Sequence, residues 1–337
     1  MNQFPLIGLG LATTNSVNET LDTFFPKIIF QEIEKDLYEA WNSLLDHDVC
    51  EISDLSTLNL SEGDLPSSFG RVDKNIKLVL CRIAEDQEIQ SVEEAYLKLH
   101  LLSYKFFQPN TLNLKNLFNI LPNIAWTNKG PIDLSEINQK ILESKAKNIT
   151  LEIKSIDKFP RLVDYIVPAG VRIADTSRVR LGAYLSEGTT VMHEGFVNFN
   201  AGTLGAAMIE GRISAGVVIG KNSDLGGGAS TMGTLSGGNK VKISIGENCL
   251  IGANSGLGIP LGNNCIVEAG LYITGGSKIE MFDKDMQSKG VLKAEELSNA
   301  DNILFIRNSL SGAIEARVNT KSVELNNACL LYTSPSP

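Results

Sequence analysis

The stretch Met192–Ser214, MHEGFVNFNAGTLGAAMIEGRIS, sets His193, Glu194, Glu210 and Arg212 among glycines and alanines. A carboxylate in such close-packed surroundings suits general-base work, because partial desolvation raises its proton affinity. A guanidinium nearby suits an anionic ligand. The bland alternative for Glu210 and Arg212 is an ion pair at the surface, and on residue type alone the two readings are even. His193 reads as a packed or interface histidine rather than a base. Neither helical spacing nor strict alternation accounts for this stretch, so another kind of element must place its polar groups.

That element is legible in the aliphatic residues. Ile173, Val179, Leu185, Val191 and Val197 lie six apart, and Thr203 and Ile209 continue the row. After a four-residue step come Ile213, Ile219 and Leu225. The segment MGTLSGGNK interrupts, then Ile245, Ile251 and Leu257 return to sixes, and Leu261, Val267, Ile273 and Ile279 follow one more short step. A period of six predicts a left-handed parallel β-helix, in which each hexad makes one short strand and one corner and three hexads close a triangular coil. One aliphatic per hexad points inward, and the small residue beside it serves the corner. The interrupting loop, on a rigid scaffold, is a natural wall for a site. A lone solenoid has flat faces, so grooves are expected where three copies pack as a homotrimer.

Before Asp157 the chain is poor in glycine and reads as a smaller α/β domain. Residues 17–46 show helical spacing broken at Pro26, 76–84 read as a strand, 92–107 as an amphipathic helix and 149–156 as a strand. The expected organisation is an α/β domain over 1–157, the β-helix over 158–282, a C-terminal extension over 283–328 and a tail over 329–337.

With 337 residues, 43% of them hydrophobic and 20% charged, the chain reads as an ordinary globular protein. Its net charge of −9 disfavours nucleic-acid binding. The apolar start FPLIGLGLA lacks a preceding basic residue and is broken by Pro and Gly, unlike a leader. No apolar run reaches membrane-spanning length, so the expected location is cytoplasmic. The five cysteines form no CxxC pair, and Cys249 and Cys265 read as small buried thiols.

The run VDYIVPAGVRIADTSRVRLGAYLSEGTTVMHEGFVNFNAGTLGAAMIEGRISAGVVIG, with SDLGGGASTMGTLSGG and GANSGLGIPLG, resembles the tetrahydrodipicolinate N-succinyltransferases. The likeness is to the form with a long N-terminal domain. It is dense from about Phe159 to Ser277 and weaker around FIRNSLSGAIEA. It implies transfer of succinyl from succinyl-CoA to the amino nitrogen derived from tetrahydrodipicolinate, in lysine and diaminopimelate synthesis.

The resemblance also implies roles for particular residues. Glu210 matches the catalytic carboxylate, as base or as transient acyl carrier, and Gly233 matches a position whose amide assists. Arg212, Gly227, Ser230, Ala253, Glu268 and Gly276 match positions that contact succinyl-CoA. Lys293, Ile306, Arg307, Asn308 and Ser309 match the C-terminal part of that site, where relatives commonly carry a second basic residue in place of Ile306. Glu194 matches an acidic position that holds a divalent cation, such as magnesium, near the trimer axis. The companion acidic position is Ser177 here.

Rival readings fit less well. Hexapeptide acyltransferases acting on serine or sugars typically use a catalytic histidine, and only His193 lies in the solenoid. A γ-type carbonic anhydrase needs a zinc-binding histidine cluster, and the whole chain has three histidines. A purely structural solenoid would repeat one outward residue type, and none recurs. Relatives end soon after a tract like VELNNA, so CLLYTSPSP reads as a non-native or disordered tail.

Overall fold

A computed structural model describes residues 4–53, 55–60, 73–234 and 241–320. The chain divides into two compact units, Met1–Leu101 with Leu112–Pro160, and Leu102–Thr111 with Arg161–Pro337. VELNNA, the tail with Cys329, and the later part of the interrupting loop lie outside the described residues.

In the first unit the apolar start of the chain is a strand, β1 (Leu6–Thr14), paired antiparallel with β2 (Thr20–Phe30). The helix expected over 17–46 is therefore confined to α1 (Lys35–Asn42). The reason lies at Pro26. The β1–β2 register jumps from Leu9↔Lys27 to Leu11↔Phe24, so Pro26 occupies a bulge, where a residue without an N–H costs no ladder bond. The buried run Leu21, Asp22 and Thr23, with Phe25, follows pairing against β1 rather than one helical face.

The sheet is completed by β3 (Val49–Glu51) and β4 (Ile76–Ile83), in the order β2-β1-β4-β3. Tyr38 and Trp41 of α1 pack on Ile7, Leu9, Ile29 and Leu80. Helix α2 (Val92–Ser103) is not amphipathic as expected. Every residue from Ala95 to Leu102 is buried, including Lys98 and His100. The short helix α3 (Leu117–Ile120) precedes β5 (Ile124–Thr127), β6 (Gly130–Asp133), α4 (Ile137–Ala146) and β7 (Ile153–Asp157). Strand β5 lies between β6 and β7 in a three-stranded sheet.

The second unit is a three-faced parallel β-solenoid. Its first face stacks strands 172–173, 190–191, 207–209, 223–225, 250–251, 266–267 and 303–307. The second stacks 196–197, 212–213, 230–231, 256–258 and 272–274, and the third 183–185, 201–203, 218–219 and 244–245. The hexad row is the core: Val191, Ile209, Leu225, Ile251 and Val267 are almost fully buried and stack on the first face. Even Thr203 fits inside, because its hydroxyl meets Thr189 Oγ1 at 2.6 Å. Cys249 and Cys265 are buried beside one another, as small thiols. Their mutual hydrogen bond, then burial, hold the Cys249 thiol well above its usual range.

Past Ile273 the coil gives way to strands 278–282, 288–293, 303–307 and 314–318. Strand 303–307 rejoins the first face, with Leu304 beside Ile266, and the buried Phe305 closes the core. The tract FIRNSLSGAIEA is the hairpin of the last two strands.

Candidate active site

The chain runs from first face to second to third, so the corner between the first two faces recurs in each coil. Those corners fall at 192–195, 210–211, 226–229, 252–255 and 268–271. Strand pairing stacks them along one edge: Ile209 lies beside Leu225, Leu225 beside Ile251, Ile251 beside Val267 and Val267 beside Phe305. Glu210, Gly227, Ala253, Glu268 and Ile306–Ser309 thus line a single edge although they span about a hundred positions of sequence. Arg212 and Ser230 are neighbours in register just across that edge, on the second face.

At Glu210 this edge is unusual. Elsewhere six positions separate the inward residues across the corner, but Ile209 and Ile213 are only four apart. The shortened turn is possible because Gly211 has no side chain. A Cβ there would lie 2.4 Å from Ala229 O and 2.9 Å from the Leu225 side chain. Glu210 and Gly211 both donate their N–H to Leu225 O, at 2.8 and 3.1 Å. The Glu210 carboxylate lies over Gly227, whose Cβ would stand 3.5 Å from Oε2. Glu210 and Arg212 form no ion pair, and among the described residues neither side chain has a charged partner. The surface-pair alternative for them is thereby set aside.

The C-terminal residues join this edge through a carboxylate. Glu268 Oε2 accepts the Arg307 N–H at 2.7 Å, across 39 positions of sequence. Arg307 also donates to Gly312 O at 2.9 Å, and Asn308 Oδ1 accepts from the N–H groups of Leu310 and Ser311. Asn308 therefore shapes the hairpin turn, and its amide reaches Glu315 at 2.7 Å. Burial aside, the hydrogen bond from Asn308 and then the Arg317 guanidinium hold the Glu315 carboxyl below its usual range. Ser309 is exposed beside them. Ile306 pairs with Glu315 across the hairpin, and its side chain offers no donor to a phosphate.

Three expected residues lie off this edge. Gly233 follows the second face to its far corner, where its Cβ would stand 3.1 Å from Ala215 O. From Gly211 to Ala215 is four residues of extended chain, roughly 13 Å. One chain therefore does not bring Gly233 to Glu210. Among the described residues the Gly233 N–H has no acceptor. Gly276 is exposed beyond the last strand of the second face, with nothing within 4 Å of where a Cβ would be. Lys293 is exposed and pairs with Glu295 at 3.3 Å.

Glu194 is exposed at the first stacked corner, and its carbonyl accepts from the Arg178 guanidinium at 2.9 Å. Ser177 donates its hydroxyl to Asp175 instead of supplying a carboxylate. Among the described residues no group of three or more acidic, His or Cys side chains could hold a metal ion. Within one chain Glu194 is a single exposed carboxylate, short of the oxygen-rich octahedral shell that magnesium requires.

Sequence reading missed one acidic residue near Glu210. Asp224 projects from the first face on the next coil, and burial, followed by the charge of Glu210, pushes its carboxyl up to about 6. It also missed the asparagines of the corner between third and first faces. Asn222, Asn248, Asn264 and Asn302 all take left-handed φ between 55° and 59°, as glycine was expected to do. Asn222 donates to Asn248, and Asn264 to Asn302. Their spacing beside the hexad row was a readable signal.

Residues 121–161 match the family described as tetrahydrodipicolinate N-succinyltransferase middle, and residues 242–275 match the hexapeptide repeat of succinyl-transferase. The 2,3,4,5-tetrahydropyridine-2,6-dicarboxylate N-succinyltransferase of Vibrio cholerae serotype O1 is 49% identical over 332 residues, covering 95% of this chain and 97% of its own. The protein so named from Pseudomonas aeruginosa is 59% identical over 251 residues, covering 74% of this chain and 73% of its own. A Campylobacter jejuni crystal structure, of a candidate 2,3,4,5-tetrahydropyridine-2-carboxylate N-succinyltransferase, superposes with a TM-score of 0.82. It is 34% identical, covering 96% of this chain and 94% of its own.

Proposed function

The chain belongs to the tetrahydrodipicolinate N-succinyltransferase family, and we propose that its chemistry runs along the edge headed by Glu210. The reaction is transfer of succinyl from succinyl-CoA to the amino group derived from tetrahydrodipicolinate, a step of lysine and diaminopimelate synthesis. Glu210 serves as general base. As the amine nitrogen bonds to the thioester carbon, its proton passes to Glu210. The tetrahedral intermediate then collapses, the C–S bond breaks, and the CoA sulfur leaves with a proton. The shortened corner at Gly211 carries this reading, because it sets Glu210 over Gly227 with no charged partner to occupy it.

Succinyl-CoA follows the same edge. Arg212 and Ser230 stand near the acyl end, Gly227 and Ala253 permit close approach of the carrier, and Glu268 holds the Arg307 backbone at the far end. An exposed guanidinium beside the base suits either the succinyl carboxylate or a phosphate. The N–H of Gly233 is the candidate oxyanion donor. Since it lies at the opposite corner of its own second face, the reading requires the Gly233 edge of one subunit to face the Glu210 edge of the next. A homotrimer supplies that arrangement. Magnesium receives no step. We place the enzyme in the cytoplasm, consistent with the absence of any membrane-length apolar helix among the described residues.

The test of the activity is thiol release from succinyl-CoA or acetyl-CoA in the presence of tetrahydrodipicolinate. Turnover that prefers succinyl-CoA is expected. Absence of turnover with both donors, from folded protein, would contradict the assignment.

A further inference from the structure

Asp224 stands on the outward side of the first face, between Met208 on one neighbouring strand and Leu250 on the other. The same outward row continues through Ile266 and Leu304. The carboxyl is thus set in a stripe that is otherwise apolar from Met208 onward. Its Oδ1 is buried and has no hydrogen-bond partner. A buried acceptor left unmade is costly, so such an oxygen marks a place where a donor is missing.

Glu210 follows Ile209, and Ile209 pairs with Leu225. Glu210 and Asp224 therefore project from the same face on adjacent coils, two positions out of register. Such diagonal neighbours are roughly 8 Å apart at the backbone and within reach of side chains this long. Other charged groups on the packed strands lie elsewhere. Lys221 and Glu247 sit at the corner where these strands begin, Glu268 three coils from Glu210, and Arg172 three strands from Asp224.

A primary amine brings two N–H groups and one lone pair to an acyl carbon. One carboxylate can remove a proton, but it leaves rotation about the C–N bond free. We propose that Asp224 is the second carboxylate of the acceptor site, accepting one N–H of the attacking primary amine while Glu210 takes the other proton. The terminal torsion of an aspartate is broad, so rotation presents either oxygen to the amine at small cost. Asp224 is a positioning residue: it aims the lone pair at the thioester and ends the reaction with its charge unchanged. The raised position of its titration, near 6, means that it is ionised for this task at neutral pH and lost to it in mild acid. The inference rests on Glu210 acting as the base.

The experiment compares pH profiles of kcat, and KM for each substrate, in wild type, Asp224→Asn, Asp224→Ala, Asp224→Glu and Glu210→Gln. Wild-type kcat is expected to fall below about pH 6. Asp224→Asn keeps an acceptor oxygen that does not titrate, so its acid limb moves to lower pH. Asp224→Ala should lose tenfold or more in kcat and raise KM for the amine acceptor, with KM for succinyl-CoA unchanged. Asp224→Glu should recover part of that loss. Glu210→Gln should lose turnover at every pH. An Asp224→Asn profile that overlays wild type, with unchanged acceptor KM in Asp224→Ala, would overturn the inference while leaving Glu210 in place. Wild-type turnover by Glu210→Gln would overturn the base assignment, and the role of Asp224 with it.

Discussion

Glu210 owes its position to one missing side chain. Gly211 lets the corner close in four residues instead of six, and the chain then presents a carboxylate and a guanidinium on either side of it. The residue types were legible in the sequence as an isolated Glu-Gly-Arg among small neighbours. What could not be read was whether Glu210 and Arg212 neutralise each other, which depends on the turn between them. With no such pair formed, Arg212 remains available to an anionic ligand. Arg212→Ala is therefore expected to raise KM for succinyl-CoA by about tenfold, on the order of 1.4 kcal/mol for one charge-assisted contact. Steady-state titration of the donor at saturating acceptor measures this. An unchanged KM would place Arg212 outside the donor site. Asp224 escaped sequence reading because its neighbours in space, Met208 and Leu250, are far from it in the chain.

Among the elements, the solenoid was readable because its period of six is a property of sequence alone. Each inward residue stacks on its counterpart a coil away, so the repeat of sequence is the repeat of structure. The first unit has no such redundancy. Strand β2 was misread as helix because the burial that decides the matter comes from pairing with β1. Helix α2 was misread as amphipathic because it is surrounded on all sides. Its polar residues are internally satisfied: Lys98 meets Asp86 at 3.0 Å, Glu94 at 3.2 Å and the carbonyls of Gln87 and Asn113. His100 is neutral there. Its Nδ1–H donates to Tyr96 O at 2.7 Å and its Nε2 accepts from the Phe25 N–H, tying α2 to β2.

Burial pushes His100 down from 6.5 to about 4, against the opposing effect of the Tyr96 hydrogen bond. The unfolded chain binds this proton more readily than the folded one. The resulting stability is present in full above pH 6.5 and is lost as pH falls toward 4, by about 3 kcal/mol. Denaturant unfolding of the protein between pH 7 and 4 should show this loss, and His100→Gln should flatten it. Equal pH dependence in both proteins would contradict the buried neutral imidazole.

For the whole molecule, the proposed roles place Glu210 and Gly233 on different edges of one subunit. A single rigid solenoid does not unite them, so under those roles activity belongs to the assembly. Two inactive variants, Glu210→Ala and Gly233→Pro, should complement each other when unfolded and refolded together. In a cyclic trimer with one site per interface, equal mixing leaves about one site in four with both native groups. Recovery toward that fraction of wild-type activity, with a mass three times the 36.5 kDa chain, is the expected result. No recovery from a mixed trimer would mean that each site is built within one chain.

The most direct test of the account is the turnover of Glu210→Ala with succinyl-CoA and tetrahydrodipicolinate, followed by release of the CoA thiol. General-base removal costs about 10²–10⁴ in rate. The account predicts a loss of kcat in that range, with KM for succinyl-CoA within about twofold of wild type and the thermal midpoint unchanged. A variant that folds as wild type and retains most of its kcat would show that the proton is taken elsewhere.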